Sequence, residues 1–164
     1  MISYRKIESY QVEDIPPLGY RVLGEWIDDV HHIKLDICFD FATQSIVEAR
    51  AWAEKAPFAI CSQGFEAVRQ LIGTRVGAGF GRLVRQTLES PQGCLHVGEL
   101  VLGSVKAALQ ASSRSVPEWA EESEYELRWR QWEGMYKNKC IYFAGETLDR
   151  QQIQDNVVNQ PTKE

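Results

Sequence analysis

The segment His31-His32-Ile33-Lys34-Leu35-Asp36-Ile37-Cys38-Phe39-Asp40-Phe41 alternates strictly between two kinds of residue. Ile33, Leu35, Ile37, Phe39 and Phe41 share one parity; His32, Lys34, Asp36, Cys38 and Asp40 share the other. A period of two marks a β-strand with one buried face. His31 has the parity of the apolar set, so its side chain is expected to point inward. His32 is expected to point outward with Lys34 and Asp36. Two adjacent histidines therefore receive different readings, one as a candidate site residue and one as a surface residue.

Working outward, a strand is expected from Gly19 to Ile27 and another from Ser45 to Ala53, with Val47, Ala49 and Ala51 on one face. Asp28-Asp29 and Ala42-Thr43-Gln44 supply turns between them. An N-terminal strand from Tyr4 to Val12 ends before Ile15-Pro16-Pro17-Leu18-Gly19. Short connections imply an antiparallel meander.

After Pro57 the period changes. Phe65, Val68, Leu71 and Ile72 read as a helical stripe capped by Gly73. Phe80, Leu83, Val84 and Leu88 form a second, stopped at Ser90-Pro91. A third helix is expected from about Cys94 to Ala111, with Val97, Leu100, Val101, Val105, Ala108 and Leu109 on its core face. Pro117 suits a first helical position, and the acidic Glu118, Glu121 and Glu122 suit the positive end of a helix dipole. Tyr125, Trp129, Trp132 and Tyr136 make the stripe of this fourth helix. A last short strand is placed at Lys139 to Phe143. Strands first and helices second give an α+β fold: an N-terminal antiparallel β-meander followed by about four helices packed on the sheet. One domain is expected over residues 1–148, followed by a polar tail over 149–164.

Composition narrows the function classes. The chain has 164 residues, of which 44% are apolar, and 18 Lys and Arg stand against 23 Asp and Glu, a formal charge of −5. A chain of this length buries roughly 70% of its unfolded surface, enough for a core without staples. The acidic balance opposes binding to nucleic-acid backbones. The nearest basic patch is Arg75, Arg82 and Arg85 with Arg69 upstream. There is no run of about 18 apolar residues to span a membrane. The segment Met1-Ile2-Ser3-Tyr4-Arg5-Lys6 leads into polar residues rather than the apolar region of a signal peptide, so a cytoplasmic location is expected. Cys38, Cys61, Cys94 and Cys140 include no Cys-x-x-Cys pair, which excludes zinc-ribbon and thioredoxin-type motifs. The plain reading of each is a small buried apolar residue.

Chemistry concentrates in Gly93-Cys94-Leu95-His96-Val97-Gly98-Glu99-Leu100, at the start of the third helix. The helix dipole and free N–H groups would favour a thiolate at Cys94. His96 and Glu99 are three apart and share a face, the spacing of an oriented acid/base pair or of two metal ligands. Such pairs also occur as ordinary surface neighbours. His31 is otherwise a buried histidine satisfied by hydrogen bonds. Asp28, otherwise a turn residue, is placed to orient an imidazole. Gly77-Ala78-Gly79-Phe80-Gly81-Arg82 fails as a dinucleotide fingerprint, because Arg82 stands where the third glycine belongs and the segment follows a helix. It reads as a turn needing positive φ, with Arg82 and Arg85 available to an anion. The aromatic stripe with Trp129 and Trp132 reads as core, or, if exposed, as an oligomer or complex interface.

The order Gly24-x-x-x-Asp28, Val30-His31, Pro57-x-x-x-Cys61, Leu71-Ile72-Gly73, Gly79-Phe80-x-x-x-Val84 and Gly93-Cys94-Leu95-His96-Val97-x-Glu99-Leu100 resembles a bacterial family termed domain of unknown function 2889. Its hallmark is Gly-Cys-Thr-His-Leu followed by Glu-Leu. Leu95 and Val97 stand here at the threonine and leucine places. The resemblance spans roughly residues 20–143 and implies a cytosolic bacterial domain. It brings no activity, but it marks Asp28, His31, Cys61, Cys94, His96 and Glu99 together.

Two function classes follow. The first is an enzyme acting on a small aromatic or carboxylated substrate, as a lyase, isomerase or hydrolase. His96 is then the general acid/base, oriented by Glu99. His31 is a second proton-transfer group, and Cys94 lines the pocket or acts as a thiolate. Arg82, Asp28 and Cys61 contact the substrate. A variant places a divalent metal such as zinc on His31, His96 and Glu99 or Cys94. The second class is a non-catalytic ligand-binding domain or a subunit of a complex, docking through the Trp129/Trp132 helix. The enzyme reading requires His31 and His96 to converge.

Overall fold

A computed structural model describes residues 3–112, 121–139 and 144. Four strands come first: β1 (Ile7–Ile15), β2 (Gly19–Ile27), β3 (His32–Asp40) and β4 (Ile46–Lys55). They form one sheet in the order β1-β2-β3-β4 with every neighbour antiparallel. The turn between β1 and β2 contains a cis Pro16–Pro17 bond. Alternation fixes which face each residue serves. Register pairs Ile33 with Trp26 and Ala53, Leu35 with Gly24 and Ala51, and Ile37 with Val22 and Ala49. These residues face the core, where Val22, Ile33, Leu35 and Ile37 are sealed from solvent.

The first expected helix departs from a plain α-helix. A five-residue helix α1 (Cys61–Phe65) runs into a 3-10 helix, Glu66–Leu71. Phe65, Val68 and Leu71 are buried at a spacing of three, the repeat of a 3-10 turn, while Ile72 is exposed. Three longer helices follow: α2 (Phe80–Leu88), α3 (Leu95–Ser112) and α4 (Glu122–Tyr136). Gly79 precedes α2 at φ +86°, the left-handed conformation that the glycine-rich segment implied. The segment holding Pro117 and the expected final strand after Lys139 lie outside the described residues, as does the boundary placed at residue 148. So do the side chains of Trp129 and Trp132.

The chain groups into two compact units, Met1–Ala108 and Leu109–Glu164. In the first unit, Val97, Leu100, Val101 and Ala108 of α3 join the core of the sheet. Close approach of α3 to the sheet depends on Gly103, where an added Cβ would lie 2.0 Å from the Tyr10 hydroxyl oxygen and 2.2 Å from its ring carbon. α4 is the described helix of the second unit. Among the described residues no helix is long and apolar enough to cross a membrane.

Candidate functional site: an Asp-His-His cluster

The β2–β3 turn is built around one carboxylate. Asp28 Oδ1 accepts hydrogen bonds from the backbone N–H of Val30 and of His31, both at 2.8 Å. This is the local side-chain-to-backbone pattern that makes Asp a turn residue. The same carboxylate accepts the Trp26 indole N–H at 2.9 Å and the Tyr4 hydroxyl at 3.3 Å. It also faces His31 Nδ1, with both oxygens at 3.0 Å. The Asp28 side chain is only 4% exposed. Burial opposes its ionisation, but the hydrogen bonds from Trp26, Val30 and His31 outweigh it. They hold the carboxyl well below the usual carboxylate range.

A carboxylate that accepts from Nδ1 fixes the tautomer of His31 and places the ring's lone pair on Nε2. His31 lies one residue before β3, so its direction is set by the Asp28 turn as well as by strand parity. The His31 ring lies 4.2 Å, centroid to centroid, from the His96 ring. His96 also meets Trp26 edge-on at 4.7 Å. Burial, then the neighbouring His31, lower the His96 pKa below the ordinary imidazole value. The neutral imidazole is the favoured form, which is the form of a general base or a metal ligand.

Cys94 occupies the position before α3, and its carbonyl accepts the N–H of Gly98 at 3.0 Å. Its sulfur faces the N–H groups of His96 and Val97, as a helix N-terminus provides. Burial nevertheless dominates and pushes the thiol up, helped by Cys61 nearby. The thiolate expected from the dipole is therefore opposed by desolvation. Cys94 Sγ lies 3.9 Å from His96 Nδ1, a weak contact.

Glu99 is exposed, and no described hydrogen bond joins it to His96. The carboxylate that orients an imidazole is Asp28, and the imidazole is His31. No described hydrogen bond, ion pair or ring contact links the exposed Arg82 to the cluster. Among the described residues, Asp28, His31 and His96 form the group whose potential ligand atoms all lie within 4.8 Å of one another. Trp26, Tyr4 and Lys6 belong to the same neighbourhood and were not singled out from sequence; Lys6 Nζ sits 4.2 Å over the Trp26 ring. The readable signal was Trp26 on the core-facing parity of β2, two residues before Asp28.

A family model described as a protein of unknown function, DUF2889, matches residues 20–110, more than half of the chain. The chain belongs to the DUF2889 family. The match covers β2 through most of α3 and so contains Asp28, His31, Cys61, Cys94, His96 and Glu99. No curated protein and no solved structure matches this DUF2889 chain.

Proposed function

We propose that this DUF2889 protein is an enzyme that moves protons on a small aromatic or carboxylated substrate, with His31 and His96 as its acid/base pair. The observation that carries the reading is the Asp28–His31 hydrogen bond at 3.0 Å, directed at a ring 4.2 Å from a second histidine. Asp28 holds the proton on His31 Nδ1, so Nε2 is presented as a base. His96, neutral through burial and the adjacent ring, supplies the second proton-transfer site. Two imidazoles this close disfavour simultaneous protonation, which adds to burial in keeping His96 neutral and ready to accept a proton. Proton abstraction and return fits lyase, isomerase and hydrolase reactions. Cys94 acts here as a neutral pocket group, Cys61 lines the same pocket, and Arg82 is assigned to an anionic part of the substrate. The formal charge of −5 favours a small molecule over nucleic acid. The reading takes the chain as a cytoplasmic bacterial protein, as the family resemblance implies, with the Trp129/Trp132 helix as the surface for a second copy or a larger complex.

The test is solvent exchange. The protein is incubated in D2O with a panel of carboxylates and aromatic acids bearing an acidic C–H, and deuterium incorporation is read by NMR. Incorporation that the parent catalyses and that His31→Gln and His96→Gln lose by about 100-fold or more supports the reading. Equal incorporation in parent and both variants contradicts it.

A second reading has its own observation, the 4.8 Å grouping of Asp28, His31 and His96. Mixed nitrogen and oxygen donors suit a divalent metal of the zinc class. Asp28 already accepts four donors besides Tyr4, so its part is the outer carboxylate that orients a ligating His31. The metal, when bound, would polarise a substrate oxygen or activate a water.

A further inference from the structure

The sheet face turned away from α3 carries a second cluster. Asp36 on β3 lies opposite Arg50 on β4 and diagonal to Arg21 on β2. Its side chain is 7% exposed, against 35% for Arg21 and 64% for Arg50. Arg21 Nε donates to Oδ1 at 2.7 Å, and Arg50 donates to Oδ2 from Nε at 2.9 Å and from Nη2 at 2.7 Å. Arg21 Nη2 also donates to Oδ2. Each guanidinium has five N–H donors, so three on each remain after Asp36 has taken two. Two positive charges against one leave a surplus of one.

Asp36 is nearly buried, so both arginines help to satisfy its carboxylate and keep it ionised. Arg50, which is largely exposed, still has N–H donors left over beside a groove. The groove has a volume of about 490 Å³ and is lined by Arg21, Leu23, Lys34, Asp36, Arg50 and Trp52 among others. That is within the usual range of small-molecule sites, roughly 300–1,000 Å³. Trp52 also lines the groove, with the Arg50 guanidinium carbon over its ring at 5.5 Å from the centroid. The other cation of the groove, Lys34, is already paired with Glu54 and Glu25.

We propose that this groove binds a carboxylate carried on a flat, conjugated group. The carboxylate takes the remaining N–H donors of Arg21 and Arg50, and the conjugated group lies against Trp52 and Leu23. Charge selects the ligand: a monoanion cancels the surplus of one, whereas a dianion would add net negative charge beside Glu13, Glu25 and Glu48. Bidentate N–H geometry toward a planar carboxylate is what a guanidinium provides. The site lies on the opposite side of the sheet from α3 and does not depend on the reading of the histidine cluster.

The experiment is a ¹H–¹⁵N NMR titration of the full chain with benzoate, with inorganic phosphate and acetate as comparison anions. Benzoate is expected to shift the Arg21 and Arg50 Nε–H signals saturably. Arg50→Gln and, separately, Trp52→Leu should each weaken binding about tenfold or more while the His31 and His96 signals stay in place. Acetate and phosphate should bind about tenfold more weakly than benzoate. The proposal is overturned by no saturable shift up to about 10 mM benzoate, by an Arg50→Gln titration that matches the parent, or by phosphate saturating the same signals before benzoate does.

Discussion

His31 and His96, 65 residues apart in sequence, have ring centroids 4.2 Å apart and planes tilted by 44°. One ring comes from the turn before β3 and the other from the first turn of α3. The turn is tied down by Asp28, and α3 is tied down by its core face, so each ring is placed by a different part of the fold. Trp26 spans the two, donating to Asp28 with its N–H and meeting His96 with its ring.

Asp28→Asn tests the anchor. An amide can accept from the turn N–H groups but brings its own N–H donors and removes the charge. Loss of a buried charged acceptor with several donors is expected to cost about 2–4 kcal/mol, read as a lower urea midpoint at unchanged slope. The change should also free His31 Nδ1. A stability equal to the parent would show that the carboxylate does not organise the turn.

His96 makes stability depend on pH. Its pKa is lowered on folding, so the unfolded chain binds the proton first as pH falls. Below the ordinary imidazole value of 6.5, stability should therefore decline with falling pH, and above it this group contributes no slope. Asp28, whose pKa is also lowered, adds its own loss only below the ordinary carboxylate range. Thermal melts between pH 8 and about pH 5 should show the decline in the parent and a smaller one in His96→Gln. Identical profiles would contradict the assignment.

Cys94 should alkylate slowly. Burial raises its pKa despite the helix N–H groups at its sulfur. Iodoacetamide at pH 7.5 is expected to modify it more slowly than a free thiol of ordinary pKa about 8.5, with the rate climbing as pH rises. Fast modification at pH 6 would instead establish a thiolate and return Cys94 to the catalytic set.

Gly103→Ala sets two effects against each other. Alanine gains about 1 kcal/mol of helix propensity over glycine. The added carbon meets the Tyr10 ring at 2.2 Å, and overpacking of this kind costs about 1–3 kcal/mol. Net destabilisation is expected in the parent, and a gain in a Tyr10→Leu background. Stabilisation in the parent would mean that α3 is free to move off β1.

Much of the sheet was legible because alternation is a local signal. The segment from His31 to Phe41 separates its two faces without reference to the rest of the chain, and β2 occupies the expected Gly19–Ile27. β1 is shifted to Ile7–Ile15, since a mostly exposed edge strand carries little alternation. The helical stripe after Pro57 does not distinguish an α-helix from a 3-10 turn, because buried residues spaced by three fit both. For the site, Asp28, His31 and His96 could be named individually. The pairing of Glu99 with His96 follows from helical spacing; the exposed Glu99 acts on His96 through its charge, while the carboxylate that hydrogen-bonds an imidazole, Asp28, comes from another element. Spacing within a helix is visible in sequence; the approach of a turn to a helix N-terminus is not. The Trp26–His96 contact depends on that approach.

The central claim is that Asp28 holds His31 as the Nδ1–H tautomer beside a neutral His96. The direct measurement is a pH titration of the imidazole nitrogens by ¹⁵N NMR on the full chain. The account predicts that the neutral form of His31 carries its proton on Nδ1 and that His96 has a midpoint below 6.5. A His31 protonated on Nε2 and bare at Nδ1, or a His96 that titrates at or above 6.5, would contradict it.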